Sequence, residues 1–264
     1  MRPSKQKTLI GALSLLIFSS AFFVSGGYGR TSPPGIDVVQ PQTIRIGSFF
    51  SGGQVTVRGV VPAGDQVALR ILGPRGHLVL MKKGRVGGLW MNVGQITFQD
   101  VPKVYLLWTS GKLSSLGGEE DLKALKLDYA SLLSGTLQLQ NQEEEAFWRQ
   151  ELVKLKEADQ LYHSYEGAVQ IKPLEPGAWD QVDAVLTLPA KIEPGPYDLE
   201  MIAFKDGTGL LIHSSTLEVK LAGFPELVST LAARQGLWYG ILAVIIATLS
   251  GLIIGIVFSS KGGH

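Results

Sequence analysis

The chain of 264 residues contains no cysteine and only four histidines. Without cysteine it has no thiolate nucleophile and no thiolate ligand for a metal or an iron–sulfur cluster. It also has no cysteine to which a bacterial lipid anchor could be attached. An exported domain of this chain would lack disulfides, so its hydrophobic core alone must hold it together.

The usual signatures of catalysis are absent as well. His77, His163, His213 and His264 lie far apart, and none has a second histidine or a carboxylate at a metal-binding spacing such as H-E-x-x-H. There is no G-x-S-x-G nucleophile elbow, and Gly84 to Gly88 does not follow a phosphate-loop pattern. We therefore predict no catalytic residue, no metal and no cofactor.

A long uncharged run is present near the C-terminus. Residues 237–258 carry no charged side chain. At about 1.5 Å per residue, a helix of this length spans the roughly 30 Å hydrocarbon core of a bilayer. Trp238 and Tyr239 fall in its first turn, where aromatic rings prefer the headgroup boundary. The run predicts a transmembrane helix at 237–258, preceded by a juxtamembrane segment at 223–236 and followed by a tail at 259–264.

The N-terminal region has the order of a secretory signal. Arg2, Lys5 and Lys7 precede an apolar run from Thr8 to Val24, and small residues follow it. We expect residues 1–29 to be a signal peptide, with an uncleaved N-terminal anchor as the alternative. The expected location is the bacterial inner (cytoplasmic) membrane, with a single pass, a large periplasmic domain and a cytoplasmic C-terminus.

Most of the segment between these ends has the pattern of β-strands. Residues 54–61 and 66–72 alternate in polarity, and Gly- and Pro-rich turns punctuate the chain. The expected class is mainly β (α+β), with antiparallel sandwich-like lobes at 30–115 and 168–222 and a helical hairpin at 116–167 between them. One sandwich and two separate lobes both fit the pattern, and we favour two lobes.

The helical segment differs from its surroundings in charge. Residues 41–113 contain nine basic and two acidic residues, whereas residues 119–166 contain eleven acidic and five basic residues. The acidic groups 119–121 and 143–145 would occupy first helical turns, where the helix dipole favours negative charge. Their placement favours solvated capping over acid–base chemistry.

Two helices are expected in this segment. The first would begin at Glu119 and present an apolar face that includes Leu125 and Leu132. The second would be capped by Asn141 and would continue to Tyr165.

One cluster of residues in the first β segment is a candidate binding site. A functional interpretation makes it a site for an anion or a partner, with three cations beside a tryptophan on a Gly-rich loop. The structural alternative places Trp90 in the core, makes Gly87-Gly88 a bulge and leaves the cations on the solvated side of an edge strand. We expect no nucleic acid as partner. The candidate residues are Lys82, Lys83, Arg85, Trp90 and Asn92.

The predicted anchor carries small residues at every fourth position. A stripe of this kind allows another helix to approach closely, so it is a candidate helix-packing face. Its residues are Ala243, Ala247, Gly251 and Gly255.

A series of different short motifs occurs in a specific order between the N-terminal region and the end of the predicted anchor. They comprise residues 50–59, 73–74, 82–92, 101–105, 188–189, 194–197, 206–207, 223–224 and 238–240. In these strings the chain resembles the alpha-proteobacterial putative transmembrane protein family. Pro225 and the Ser-Ser-Lys near the end depart from the family pattern. The resemblance implies an envelope protein of unassigned role, often encoded near sulfite-exporter-type permeases, and no catalytic residues.

These observations support a non-enzymatic binding or assembly protein anchored in the membrane. A first alternative is an accessory subunit of an anion (sulfite-exporter-type) permease. A second is an envelope hydrolase with an unrecognised active site, which a cleft holding a perturbed carboxylate next to a histidine would favour. A third is a purely structural envelope module. The expected partners are the membrane itself and a permease or another integral membrane protein.

Overall fold

The computed structural model describes residues 34–174 and 177–259. The predicted signal peptide at 1–29 and the last residues of the tail lie outside these ranges. The strands are β1 Gly35–Gln40, β2 Thr43–Ile46, β3 Gly53–Pro62, β4 Gln66–Leu72, β5 Arg75–Val86, β6 Leu89–Pro102, β7 Tyr105–Thr109, β8 Tyr162–Tyr165, β9 Gln170–Leu174, β10 Trp179–Leu188, β11 Gly195–Lys205 and β12 Thr208–Leu221. The helices are α1 Leu113–Leu116, α2 Glu119–Ala124, α3 Tyr129–Leu132, α4 Gln142–Ala158, α5 Phe224–Arg234 and α6 Gly236–Ser259.

Two sheets form a sandwich. One has the order β1-β3-β10-β9 and is antiparallel throughout. The other has the order β2-β12-β11-β4-β7-β8, with parallel pairing only at its two edges. A separate two-stranded sheet is formed by β5 and β6. The predicted class, mainly β with a helical segment and a C-terminal apolar helix, is confirmed.

The preference for two β lobes is wrong, because strands from both segments alternate within each sheet. In one sheet, β10 pairs along its whole length with β3, from Trp179 opposite Pro62 to Leu188 opposite Gly53. In the other, β11 pairs with β4. A lobe built from either segment alone would leave long strand edges without partners, and the shared sandwich satisfies them.

The strand order is that of an immunoglobulin-type sandwich, in which β1, β3, β10 and β9 take the places of strands A, B, E and D. A tyrosine corner, a feature of such sandwiches, is also present at the start of β11. The hydroxyl of Tyr197 donates to the carbonyl of Glu193 at 2.8 Å and accepts from the backbone N–H of the same residue at 3.2 Å.

The molecule has two apolar cores, one on each face of the six-stranded sheet. The first lies between the sheets and includes Val57, Leu69 and Trp108. The second lies between the six-stranded sheet, the helical segment and the beginning of the β5–β6 hairpin, and includes Phe98 and Leu107. Because the sheet is covered on both faces, all five residues of β7 are buried.

The first predicted helix is divided into short pieces. Lys126, with a φ of +53°, ends the turn after α2, and Asp128 caps α3 by accepting from the N–H of Ser131 at 2.8 Å. The guanidinium of Arg70, on β4, donates to the carbonyls of Leu125 and Lys126 at this break. The periodic leucines therefore pack from two separate helices instead of one continuous face.

The second predicted helix begins as expected and ends early. The Asn141 side chain accepts from the N–H of Glu143 at 2.9 Å, so the predicted cap is confirmed. The helix ends at Ala158, however, because Gln160 adopts a φ of +59° and turns the chain. Residues 162–165 then form β8 beside β7, where the sequence pattern predicted helix.

The hairpin of β5 and β6, residues 75–102, is named the arm. It leaves the sandwich at the end where β4 finishes, because Leu72 is the partner of Tyr105, the first residue of β7. Leu72 also lies opposite Asp198 near the start of β11, and Gly195 at that start lies opposite Val219 near the end of β12. The arm is therefore based at the same end of the sandwich from which the chain continues towards α5 and α6. We call this the anchor end.

Two helices follow the sandwich. In α5 the apolar residues Phe224, Leu227, Val228 and Leu231 keep helical spacing, as in an amphipathic helix. The following α6 is long and apolar enough to cross a membrane between Gly236 and Ile256. Both helices lie where the sequence predicted a juxtamembrane segment and a transmembrane helix.

Candidate binding surface on the hairpin arm

The arm ends in a two-residue turn. Val86 pairs with Leu89, so Gly87 and Gly88 form the loop, with φ values of +59° and +85°. Positive φ at both loop positions is the type I′ geometry, which matches the twist of the two strands and favours glycine. The interpretation of Gly87-Gly88 as a bulge is wrong. The register of the hairpin shifts at two other places, and one of them is a bulge at Val93, the extra residue on β6 between two ladder pairs.

One side of the arm faces the second core near the base. Phe98 is completely buried there, and Leu78, Leu80 and Ile96 pack partly buried against the same core. The core ends further along the arm. At that point the Nζ of Lys82 approaches the Oε1 of Glu144, in the first turn of α4, at 3.4 Å.

Beyond Lys82, the side of the arm that faces the second core nearer the base is exposed to solvent. We call residues 83–93 the tip. Val86, Leu89, Met91 and Val93 share its apolar face, and between 49% and 69% of each residue is exposed. Gly84 belongs to this face too, because a Cβ at that position would lie 2.9 Å from the Cγ2 of Val93. The absence of a side chain at Gly84 lets Val93 pack across the two strands.

The opposite face of the tip is cationic and aromatic. Lys83 pairs with Asn92, and Arg85 pairs with Trp90, so all four side chains share this face. The Arg85 guanidinium lies 5.8 Å from the Trp90 ring centroid, within the range of a cation–π interaction. Trp90 is 69% exposed, so its interpretation as a core residue is wrong.

The structure thus brings the five candidate residues together on neighbouring strands. They do not lie on a Gly-rich loop, since the glycines form the turn and the cations lie on β5. Lys82 is on the core-facing side, and the other four are on the cationic face. Asp100 pairs with Arg75 at the base of the arm, but no acidic residue occurs between Gly76 and Gln99, so the cations of the tip have no acidic partner within that part of the arm.

The three described histidines lie in different places. His77 is exposed on the arm near its base, and His163 is exposed on β8 with its ring 4.3 Å from that of Tyr165. His213 lies on β12 beside Gly35. Within residues 34–174 and 177–259, no three His, Asp or Glu side chains are grouped so that they could hold a metal ion.

A cleft of about 360 Å³ lies beside β8, and the polar residues in its lining are Asp128, Glu157, His163 and Ser164. The Asp128 carboxylate is occupied as a helix cap, because it accepts from both the N–H and the hydroxyl of Ser131. The hydroxyl of Ser164 is buried and has no hydrogen-bond partner among the described residues. His163 and Ser164 point to opposite faces of β8 as successive strand residues, which does not favour a serine–histidine pair.

Two carboxyl groups with shifted pKa values lie outside this cleft. Burial raises the pKa of Asp65, in the turn between β3 and β4. A hydrogen bond from Arg58 at 2.9 Å lowers the pKa of Asp183, on β10. Both shifts have structural causes, a buried turn and a cross-strand ion pair. Neither supplies the perturbed carboxylate beside a histidine that a hydrolase would need.

The helix-packing candidates of the anchor are all exposed on α6. Ala243, Ala247, Gly251 and Gly255 follow one face of the helix. A side chain built at Gly251 or Gly255 would meet no atom within 4 Å in the described part of the chain. The stripe is available for packing, and its partner is not defined by this chain.

The comparison with protein families agrees with this architecture. Residues 37–260 match the family described as "Putative transmembrane protein (Alph_Pro_TM)". The match covers the sandwich, the arm and the C-terminal helix, so the chain belongs to this family and the resemblance seen in the sequence is confirmed. No curated protein matches the chain.

Proposed function

We propose that this family member is a non-enzymatic binding or assembly protein that acts at a membrane surface through the tip of its arm. The observation that carries the proposal is the apolar face of the tip. This face continues the core-facing side of the arm past the point where the second core ends, so no layer of the described chain covers its side chains. They are Val86, Leu89, Met91 and Val93. Contiguous exposed apolar surface on a folded domain is typical of an interaction site.

The shape of the arm supports the same proposal. Both strands are edges, and an exposed apolar two-stranded ribbon is an aggregation hazard. Lys83 and Arg85 on the opposite face reduce that hazard without covering the apolar side chains. A contact surface that must remain available is consistent with this combination.

The proposed topology places the large domain in the periplasm of a bacterial cell, with one pass through the inner membrane and a cytoplasmic C-terminus. The basic N-terminal residues followed by an apolar run support this orientation. A reporter that is active only in the periplasm, fused at Gly167 in the turn after β8, should be active. The same reporter fused after His264 should be silent, and the reverse pattern would contradict the topology.

The binding role is tested in native membranes. A photo-crosslinking residue is placed at Met91 on the tip and, as a matched control, at Thr208, the exposed first residue of β12. We expect crosslinked products from position 91 and not from position 208. Equal yields at the two positions would contradict a binding role for the tip.

The absence of catalysis is tested separately. The triple variant His77→Asn, His163→Asn and His213→Asn removes all three described histidines. We expect any cellular phenotype of the protein to persist if thermal unfolding is unchanged. Loss of that phenotype in a stably folded variant would favour the hydrolase alternative.

A second candidate function is that of an accessory subunit of an anion permease. The observation in its favour is the small-residue face of α6, which leaves room for a second helix along Gly251 and Gly255. In this function the cationic face of the tip would lie near an anionic solute. Enlarging Gly251 and Gly255 to leucine should then reduce co-purification with the permease, whereas Ile245→Leu on another face should not.

A further inference from the structure

We infer that the tip binds the lipid surface of the membrane that holds α6, with its apolar face in the interface and its cations on anionic headgroups. This inference rests on the proposed binding function of the tip and names its partner. It is carried by three independent observations: the position of the arm, the chemistry of the tip and the tether provided by α6.

The arm is based at the end of the sandwich that lies closest to the bilayer. The last sandwich strand ends there at Leu221, and only α5 separates it from α6. The eleven residues of α5 span about 16 Å as a helix. The twelve residues of β5 span about 40 Å as a strand. An arm based at the anchor end is therefore long enough to bridge the distance between the sandwich and the membrane.

The connecting helix also has the character of a membrane-surface element. Phe224 and Leu227 lie on the apolar side of α5, and 71% and 60% of these residues are exposed. An amphipathic helix next to a transmembrane helix lies in the interface with its apolar side towards the acyl chains. Two elements at the anchor end, α5 and the arm, thus expose apolar side chains.

The residue types of the tip are those that bind membrane interfaces. Leu89 and Met91 are apolar side chains that can enter the acyl region, and Trp90 is of a residue type that is enriched at the headgroup boundary. Lys83 and Arg85 provide the positive charge that attracts anionic lipids. The arm offers no carboxylate between Gly76 and Gln99 that would repel them.

A weak lipid contact is sufficient here because the arm is not free in solution. The α6 helix confines the domain to the membrane surface, so binding of the tip is an intramolecular event with a high effective concentration. A small apolar face of four side chains can then remain bound most of the time. Two attachments, the helix and the tip, would fix the orientation of the sandwich on the membrane.

The natural absence of cysteine allows a direct test with the full chain. A single cysteine is introduced by Leu89→Cys, labelled with an environment-sensitive fluorophore, and the protein is placed in nanodiscs that contain lipid and no other integral protein. The matched control is Thr208→Cys, at the start of β12 directly after the β11–β12 turn. Unchanged thermal unfolding of both labelled proteins establishes that the sandwich is folded.

We expect a blue-shifted emission at position 89 and quenching by lipids that carry a spin label near the headgroup. Position 208 should emit as in water and remain unquenched. The shift at position 89 should be larger in nanodiscs with anionic phospholipid than in purely zwitterionic ones. High salt, or the double variant Lys83→Gln and Arg85→Gln, should remove this difference because the attraction to headgroups is electrostatic.

A water-like, unquenched signal at position 89 in both kinds of nanodisc would overturn the inference. If crosslinking from position 91 in native membranes still occurred, the partner of the tip would be a protein and the proposed function would stand. If crosslinking were absent as well, the proposed function would fail together with the inference.

Discussion

The body of the sandwich and the tip of the arm use the same residue types in opposite environments. Trp108 is 2% exposed and stacks on Tyr165, with ring centroids 5.3 Å apart, whereas Trp90 is 69% exposed. Leu69 is completely buried, whereas Leu89 is 69% exposed. Hydrophobic burial stabilises a fold only where the side chain leaves water. The apolar residues of the body therefore account for stability, and those of the tip remain available for contact with another surface.

The arm itself contains the boundary between the two regions. Phe98 and its neighbours pack the base against the second core, and Lys82 pairs with Glu144 of the helical segment. Everything beyond Lys82 can be changed without opening a core. This separation makes the comparison testable, because matched substitutions on either side of the boundary should have very different effects on stability.

The largest difference is expected for tryptophan. Trp108→Ala removes a buried side chain of the first core and should cost about 3–5 kcal/mol of the free energy of unfolding. Trp90→Ala should change that free energy by no more than about 0.5 kcal/mol, because its ring is exposed. Chemical denaturation of the two full-length variants in detergent measures both values. A large loss of stability in Trp90→Ala would show that the tip packs against the body.

Arginine should show the second largest difference. Arg70 pairs with Glu200 within the six-stranded sheet, where their side chains are 10% and 15% exposed, and it also binds the carbonyls at the break after α2. Arg70→Met would leave the Glu200 carboxylate with no ion-pair partner in a mostly buried position, at a cost of about 3 kcal/mol.

The matched change at the tip is Arg85→Met. Among residues 34–174 and 177–259, its guanidinium interacts with the exposed Trp90 ring and with no carboxylate, so the stability should stay within about 0.5 kcal/mol of wild type. The same variant should weaken binding of the tip to anionic nanodiscs. Equal destabilisation by the two arginine changes would contradict the division between body and tip.

Local patterns in the sequence predicted the elements well where one face of a strand is buried. The alternation of residues 66–72 gave the bounds of β4, and the uncharged run gave α6. Pairing between distant strands could not be read from local patterns, so the interleaving of β3 with β10 was missed. The helix break after α2 was missed for a related reason, since Arg70, which binds the carbonyls there, lies far away in sequence.

The candidate site was predicted in part. The cations and Trp90 were found because charge and aromatic rings are conspicuous in a sequence. Leu89, Met91 and Val93 were missed, although their alternation after Gly87-Gly88 is the signal of a hairpin strand. Alternation shows that side chains share a face, but it does not show whether another layer covers that face. Only the end of the second core near Lys82 reveals that the tip is uncovered.

At alkaline pH, the change in the free energy of unfolding should depend on tyrosines of the sandwich and not on the tip. Burial raises the pKa of Tyr197 from 10.0 to about 12. Between these values the unfolded state has lost the phenolic proton while the folded state keeps it, so stability should fall as the pH rises from 10 to 12. Tyr197→Phe should cost about 1 kcal/mol at neutral pH through its lost hydrogen bonds and should flatten this decline.

The control for this prediction is a change at the tip, which contains no tyrosine. Leu89→Ala should show the same alkaline decline as the wild type, measured as the free energy of unfolding at a series of pH values. A decline as steep in Tyr197→Phe as in wild type would mean that other tyrosines, such as the half-buried Tyr129, dominate.

The smallest effect is expected at the boundary itself. Lys82 and Glu144 are 51% and 42% exposed and their charged atoms are 3.4 Å apart, so the pair should contribute less than about 0.5 kcal/mol to stability. Lys82→Met should therefore leave thermal unfolding nearly unchanged. It should nevertheless loosen the arm, because this pair links the core-facing side of the arm to the first turn of α4. Hydrogen exchange of the backbone N–H groups near Lys82 should become faster, while exchange within β4 and β11 stays as in wild type. If exchange near Lys82 does not change, the apolar packing of Leu80 and Ile96 alone holds the arm in place, and the boundary lies at those residues.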